Sequence, residues 1–188
     1  MNGMMLNRSD AYSLLNNYVK SDKIYNHSLA VEAIMRNLSK RFKEDEEIWG
    51  LVGLLHDVDY EYTQENPEKH GIVAAQILNG LLPSAAVNAI QSHNYIHTEV
   101  LPTTILDKCL LASDAVSGLI IATALIIPSR KIAEIQLSTL IDKFNDKSFA
   151  KGCSRERIKL CSDCDISLNE FLQLSLDALC DISDKIGL

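Results

Sequence analysis

Six residues of this chain carry side chains suited to binding a metal, and they fall in an order that spreads them over successive segments. They are His27, the adjacent pair His56 and Asp57, then His70, His93 and Asp114. Mixed imidazole and carboxylate ligation suits Mn, Fe, Co, Ni or Zn and differs from the all-oxygen sets that favour Mg or Ca. A divalent transition metal in such a site brings the pKa of water towards ~7 and offsets charge on a phosphoryl oxygen. Each of the six is read on an apolar helical stripe, where an unpaired imidazole or carboxylate is costly to bury. The residues therefore point to a metal site assembled from five helices.

The elements that must position these residues can be traced from periodicity and capping. A first helix starts at Ser9 or Asp10 and ends near Lys20. A second starts at Ser21 or Asp22 and runs to about Phe42. Its inward stripe reads Ile24, His27, Val31, Met35, Leu38 and Phe42, so His27 takes a core slot. Acidic residues from Glu44 to Glu47 suit the first turn of a third helix, striped by Ile48, Leu51, Val52 and Leu55 and ending at the His-Asp pair. Pro67 opens a fourth (His70, Val73, Ile77, Leu81) and Pro83 a fifth (Val87, Ile90, His93). Thr103 or Thr104 opens a sixth, closed by Pro128, with the stripe Leu110, Leu111, Asp114, Gly118, Ile121 and Leu125. Shorter helices follow around 130–145 and 154–162, and a last one starts at about Ser167, where Ser167 and Glu170 form a capping-box pattern. Strand-like alternation is missing, so the expected class is all-α, with a motif-bearing core at about 20–128 and a helical extension at about 129–188.

The length of 188 residues suits one domain. The first ten residues lack the apolar core of a signal peptide, and the most apolar run, from Leu119 to Ile127, falls short of the ~18 residues of a membrane span. These features, with five cysteines in no disulfide pattern, imply a cytoplasmic protein without a membrane partner. The net charge of −7 argues against binding a nucleic-acid polymer. Between Arg130 and Lys159, however, eight basic residues face four acidic ones, either as a solvated face or to steer a small anion towards the site.

His27, the run HDVDYEY from His56 and the run LLASDAVSGLI around Asp114 together resemble the H…HD…D motif of the HD superfamily of metal-dependent phosphohydrolases. The segment FAKGCSRERI and the final helix resemble the tail of a small bacterial HD subfamily. The resemblance implies an all-α HD-domain bundle in which His27, His56, Asp57 and Asp114 bind one metal ion. The longer order H…HD…H…H…D resembles members with two ions, which would add His70 and His93 and make Asp57 the bridge. The cyclic-dinucleotide branch carries a doubled histidine and a GYP segment, whereas this chain reads His93-Asn94-Tyr95 and has no such segment. Cyclic-di-GMP is therefore not the expected substrate.

Several residues near the motif are candidates for other roles. Asp59 and Glu61, in the 57–66 loop, are the nearest acids for proton transfer, alongside Asp57 as the residue on which catalysis turns. Lys69 and His97 are candidate substrate contacts, competing with a surface lysine and a loop histidine. Trp49, Tyr60, Tyr62 and Tyr95 could line a pocket for a base or sugar, or simply pack. Cys161 and Cys164 share a helix face without the second pair that structural zinc requires. The last third offers no obvious ligand and is expected to pack over the core or form a homodimer surface.

The expected function is metal-dependent hydrolysis of a small-molecule phosphoester, such as a nucleotide, by activated water. Two other readings compete. The same ligand order resembles the di-iron inositol-oxygenase branch, and a non-catalytic metal- or ligand-binding module would need the same residues.

Overall fold

The structure, a computed structural model, describes residues 6–188, so the first five residues of the stretch read against a signal peptide lie outside it. It is all-α, and among the described residues the nearest approach to a strand is an isolated bridge between Asn79 and Leu82.

The helices begin where side chains can accept from the free N–H groups of a first turn. Asn7 caps α1 (Arg8–Tyr18), Ser21 precedes α2 (Asp22–Phe42) and Asp45 caps α3 (Glu46–Leu55). A single helical turn, α4 (Tyr60–Thr63), follows the His-Asp pair. Then come α5 (Ile72–Leu78), α6 (Ser84–Ser92), the short α7 (Tyr95–Thr98) and the long α8 (Ile105–Ile126), which opens on a reciprocal Thr104–Asp107 capping box. The extension adds α9 (Leu137–Asn145), α10 (Arg155–Lys159), α11 (Leu168–Cys180) and α12 (Ser183–Ile186).

The pair α2 and α3 makes the floor of the site. Both bury an almost continuous run, including Val31, Met35 and Leu38 on one and every residue from Trp49 to Leu55 on the other. Gly53 allows their close approach, because a Cβ there would come 2.7 Å from the carbonyl oxygen of Val31. That packing carries His56, at the end of α3, up against His27. A buried polar cluster ties α1 to the same floor. Glu32 accepts from Arg8 Nε at 2.9 Å, Arg36 Nε at 2.8 Å and the Tyr12 hydroxyl at 2.6 Å, and Arg36 reaches on to Glu47 at 2.7 Å.

Two expectations about elements need correction. Residues 67–69 form one turn of 3₁₀ helix and not the start of the fourth helix. His70 is extended and Gly71 takes φ +84°, a value glycine adopts without strain, so the helix begins only at Ile72. His70 thus stands on a turn, and the buried residues of α5 are Ala74 and Leu78 in place of Val73 and Ile77. The second concerns α8, whose 22 residues are apolar enough by length and composition to cross a membrane. Two-thirds (67%) of its most apolar window is buried against the other helices, which makes α8 the central core helix of the described residues.

Candidate metal centre

The six residues predicted from the sequence converge. His27 comes from the second turn of α2, and His56 and Asp57 from the end of α3. His70 comes from the turn before α5, His93 from the end of α6 and Asp114 from the middle of α8. The Nε2 atoms of His27 and His56 are 3.3 Å apart, and those of His70 and His93 are 2.9 Å apart. Asp57 lies between the two pairs. Its Oδ2 is 3.6 Å from His27 Nε2, while its Oδ1 is 3.5, 3.3 and 3.4 Å from the Nε2 atoms of His56, His70 and His93. Asp114 joins the first pair, with Oδ1 3.2 Å from His27 Nε2 and 4.0 Å from His56 Nε2.

These spacings suit shared metal ions. Two nitrogens each at ~2.0–2.1 Å from one ion lie roughly 2.9–3.4 Å apart, depending on the angle between them. Two groups of three donors each lie close enough to hold an ion, His27–His56–Asp57 and Asp57–His70–His93, and Asp57 belongs to both.

The other ring nitrogen of each histidine is anchored, which fixes which nitrogen faces the centre. His56 Nδ1–H donates to the Gly53 carbonyl at 2.8 Å, and His93 Nδ1–H donates to the Ile90 carbonyl. His70 Nδ1–H donates to Asp59 Oδ1 at 2.8 Å. His27 Nδ1 meets the Ser117 hydroxyl at 3.2 Å, and that hydroxyl donates to the Asp114 carbonyl. All four Nε2 atoms are thereby turned towards the centre.

The protein's own charges hold the carboxylates ionised. Burial alone would raise the Asp114 carboxyl, but the hydrogen bond and charge of His27 hold it at about 2. Burial is likewise outweighed at Asp57, where the surrounding histidines keep the carboxyl well below its usual range. Burial lowers His56 to about 4. It also acts against charge on His70, yet hydrogen bonds to Asp57 and Asp59 lift that ring to about 10. His27 is raised in the same way, burial being overcome by Asp114 and Asp57. The centre is thus arranged to receive positive charge.

The remaining predicted residues separate clearly. Asp59 is fully buried, and both its oxygens are engaged: Oδ1 with His70, and Oδ2 with the backbone N–H groups of Gly71 and Ala74 at 2.9 and 2.8 Å. These contacts orient His70 and cap the start of α5. Glu61 accepts from the backbone N–H groups of Lys20 and Ser21 at 2.9 and 2.7 Å, so it pins the entry to α2. Lys69 and His97 are exposed, and neither borders the cleft over the centre. Trp49 is a core residue packed on Phe42, and Tyr62 projects outward against Tyr18.

That cleft has a volume of about 930 Å³, within the range of small-molecule sites, and His27, Asp57 and Asp114 are among the residues that line it. Its walls include Lys23, Tyr60, Tyr95, Ile96, Cys153 and Arg157. Arg157 was not singled out as a candidate site residue, and the last third, expected to pack over the core or form a dimer surface, with its basic segment either solvated or steering an anion, supplies this part of the wall. The excess of basic residues between 130 and 159 was its one sequence signal. Cys161 and Cys164 are buried free thiols on a 3₁₀ segment and stand apart from both donor groups.

A model of the HD domain matches residues 24–119, slightly more than half of the chain. No curated protein and no solved structure matches it.

Proposed function

From the premise that this chain belongs to the HD-domain family, we propose that it is a phosphohydrolase acting on a small phosphorylated molecule. His27, His56, Asp57 and Asp114 would hold one divalent transition metal ion, and Asp57, His70 and His93 a second. The observation that carries the reading is the placement of Asp57, whose two oxygens lie within 3.3 to 3.6 Å of four anchored imidazole nitrogens. Ions held there supply Lewis acidity, which activates water and offsets charge on a phosphoryl group.

The chain's own residues organise the rest. Asp59, Ser117 and the carbonyls of Gly53 and Ile90 hold the four imidazoles in one tautomer, so the centre is preorganised before substrate arrives. Tyr60 stands edge-on to His70 with ring centroids 5.6 Å apart and forms one side of the cleft. The cleft, at about 930 Å³, has room for a small phosphorylated molecule such as a mononucleotide.

The experiment is metal analysis of anaerobically purified protein, followed by a screen of phosphorylated metabolites with Mn²⁺, Co²⁺ or Ni²⁺ in the absence of oxygen. Release of phosphate or of a nucleoside product that is lost in Asp57→Ala supports hydrolysis. Turnover confined to reduced iron with O₂, and no phosphoester cleaved with any of these metals, would assign the centre to oxygenase chemistry instead.

A further inference from the structure

Two arginines of the same short helix, Arg155 and Arg157, are used in opposite ways. Arg155 directs its guanidinium at six backbone carbonyls, those of Lys143, Phe144, Asp146, Phe149, Ala150 and Cys153, at 2.8 to 3.1 Å. It closes the loop from α9 to α10 on itself and so fixes where α10 sits. The Arg157 guanidinium makes one hydrogen bond among the described residues, from Nη1 to Asp114 Oδ2 at 3.3 Å. Among the described residues its Nε and Nη2 have no protein acceptor, and it borders the cleft.

Its position is specific. Asp114 divides its carboxylate, Oδ1 towards His27 at 3.2 Å and Oδ2 towards Arg157. The guanidinium therefore stands one carboxylate away from the imidazole cluster. Its carbon lies 6.0 Å from the centroid of the Tyr95 ring, which also borders the cleft. Lys23 is the other basic residue on the cleft wall. A planar fork with free donors, beside a centre whose residues could hold metal ions, matches the non-bridging oxygens of a tetrahedral oxyanion.

We propose that Arg157, delivered by a segment outside the matched HD domain, is the phosphate-binding residue that selects phosphate esters for this centre. The inference rests on the phosphohydrolase reading and adds to it a recognition element supplied by the C-terminal extension. A purely structural arginine would be spent as Arg155 is. An arginine that served only to fix Asp114 would be needed for metal retention, which gives the test its contrast.

The probe is inorganic phosphate, titrated calorimetrically into Mn²⁺-loaded wild type, Arg157→Ala and Arg157→Lys, with metal content measured on each. The expected result is unchanged metal stoichiometry, with phosphate affinity weakened roughly 10- to 100-fold in the alanine variant. The lysine variant should fall in between, because it keeps the charge and loses the fork. Phosphate affinity within twofold of wild type in a fully loaded Arg157→Ala protein overturns the assignment alone. Loss of metal from the alanine variant, with phosphate binding lost in step, makes Arg157 a support for Asp114 and also overturns it. Failure of metal-loaded wild type to bind phosphate at all removes both this assignment and the phosphohydrolase reading.

Discussion

Asp59 Oδ1 accepts the Nδ1 proton of His70 at 2.8 Å, while its Oδ2 accepts two N–H groups from the first turn of α5. One buried carboxylate thus aims an imidazole and starts the helix behind it. Asp59→Ala should strand two backbone donors and free the ring, costing about 2–3 kcal/mol of stability in denaturant unfolding. It should also weaken the second metal site roughly 10- to 100-fold. A variant of unchanged stability and metal content that had lost turnover would return Asp59 to the role of proton donor.

The first metal site should depend on residues at its two edges. His27→Ala and Asp114→Ala each remove a donor from the group around His56 and should empty that site. At a metal concentration ~100 times the dissociation constant, the lost linkage is about 2.7 kcal/mol. Chelated wild type should show a drop in thermal midpoint at least as large as that of the variants, because chelation empties both sites. Full metal stoichiometry in either variant would strike that residue from the ligand set.

Nuclearity can be read separately. Wild type should carry about two equivalents of metal, and His70→Ala/His93→Ala about one, because Asp57 retains its place beside His27 and His56. One equivalent in both proteins would make these two histidines contacts to substrate or water.

The legibility of the site in the sequence followed from how each helix is buried. α2 is apolar on one face only, so the spacing of Ile24, His27, Val31, Met35 and Leu38 located His27 correctly. α8 is apolar on nearly every face, and its stripe could not be assigned by period. Asp114, Gly118 and Ile121 lie only partly buried, with the first two on the cleft wall, while Ala112, Val116, Leu119 and Ile120 form the core side. His70 was found for the wrong reason, since Gly71 breaks the helical pattern that was read through it. Asp59 and Glu61 were legible as acids near the motif, but their partners lie 11 or more residues away in sequence and could not be inferred from spacing. Arg157 reaches the cleft only because α10 packs beside α8, a tertiary contact that local patterns do not encode.

The charge state of the centre predicts how metal and acid compete. Hydrogen bonds to Asp57 and Asp59 raise His70 to about 10 and His27 is raised as well, so at neutral pH the metal-free protein keeps protons that an ion must displace. Metal binding should therefore release protons, measurable as a buffer-dependent calorimetric enthalpy, and apparent affinity should climb as pH rises from about 7 to about 9. Stability of the metal-free protein should move the other way. A ring raised in the folded state stabilises it fully below the unfolded value of ~6.5 and loses that contribution as pH rises towards 10. His56, lowered to about 4 by burial, has the reverse effect on the acid side, removing stability as pH falls from ~6.5 towards 4. The metal-free protein should thus be most stable near pH 6.5 and the loaded protein at higher pH, a separation that thermal melts across pH 4 to 10, with and without chelator, would measure. Coincident pH profiles for the two forms would mean that the histidines do not exchange protons for metal.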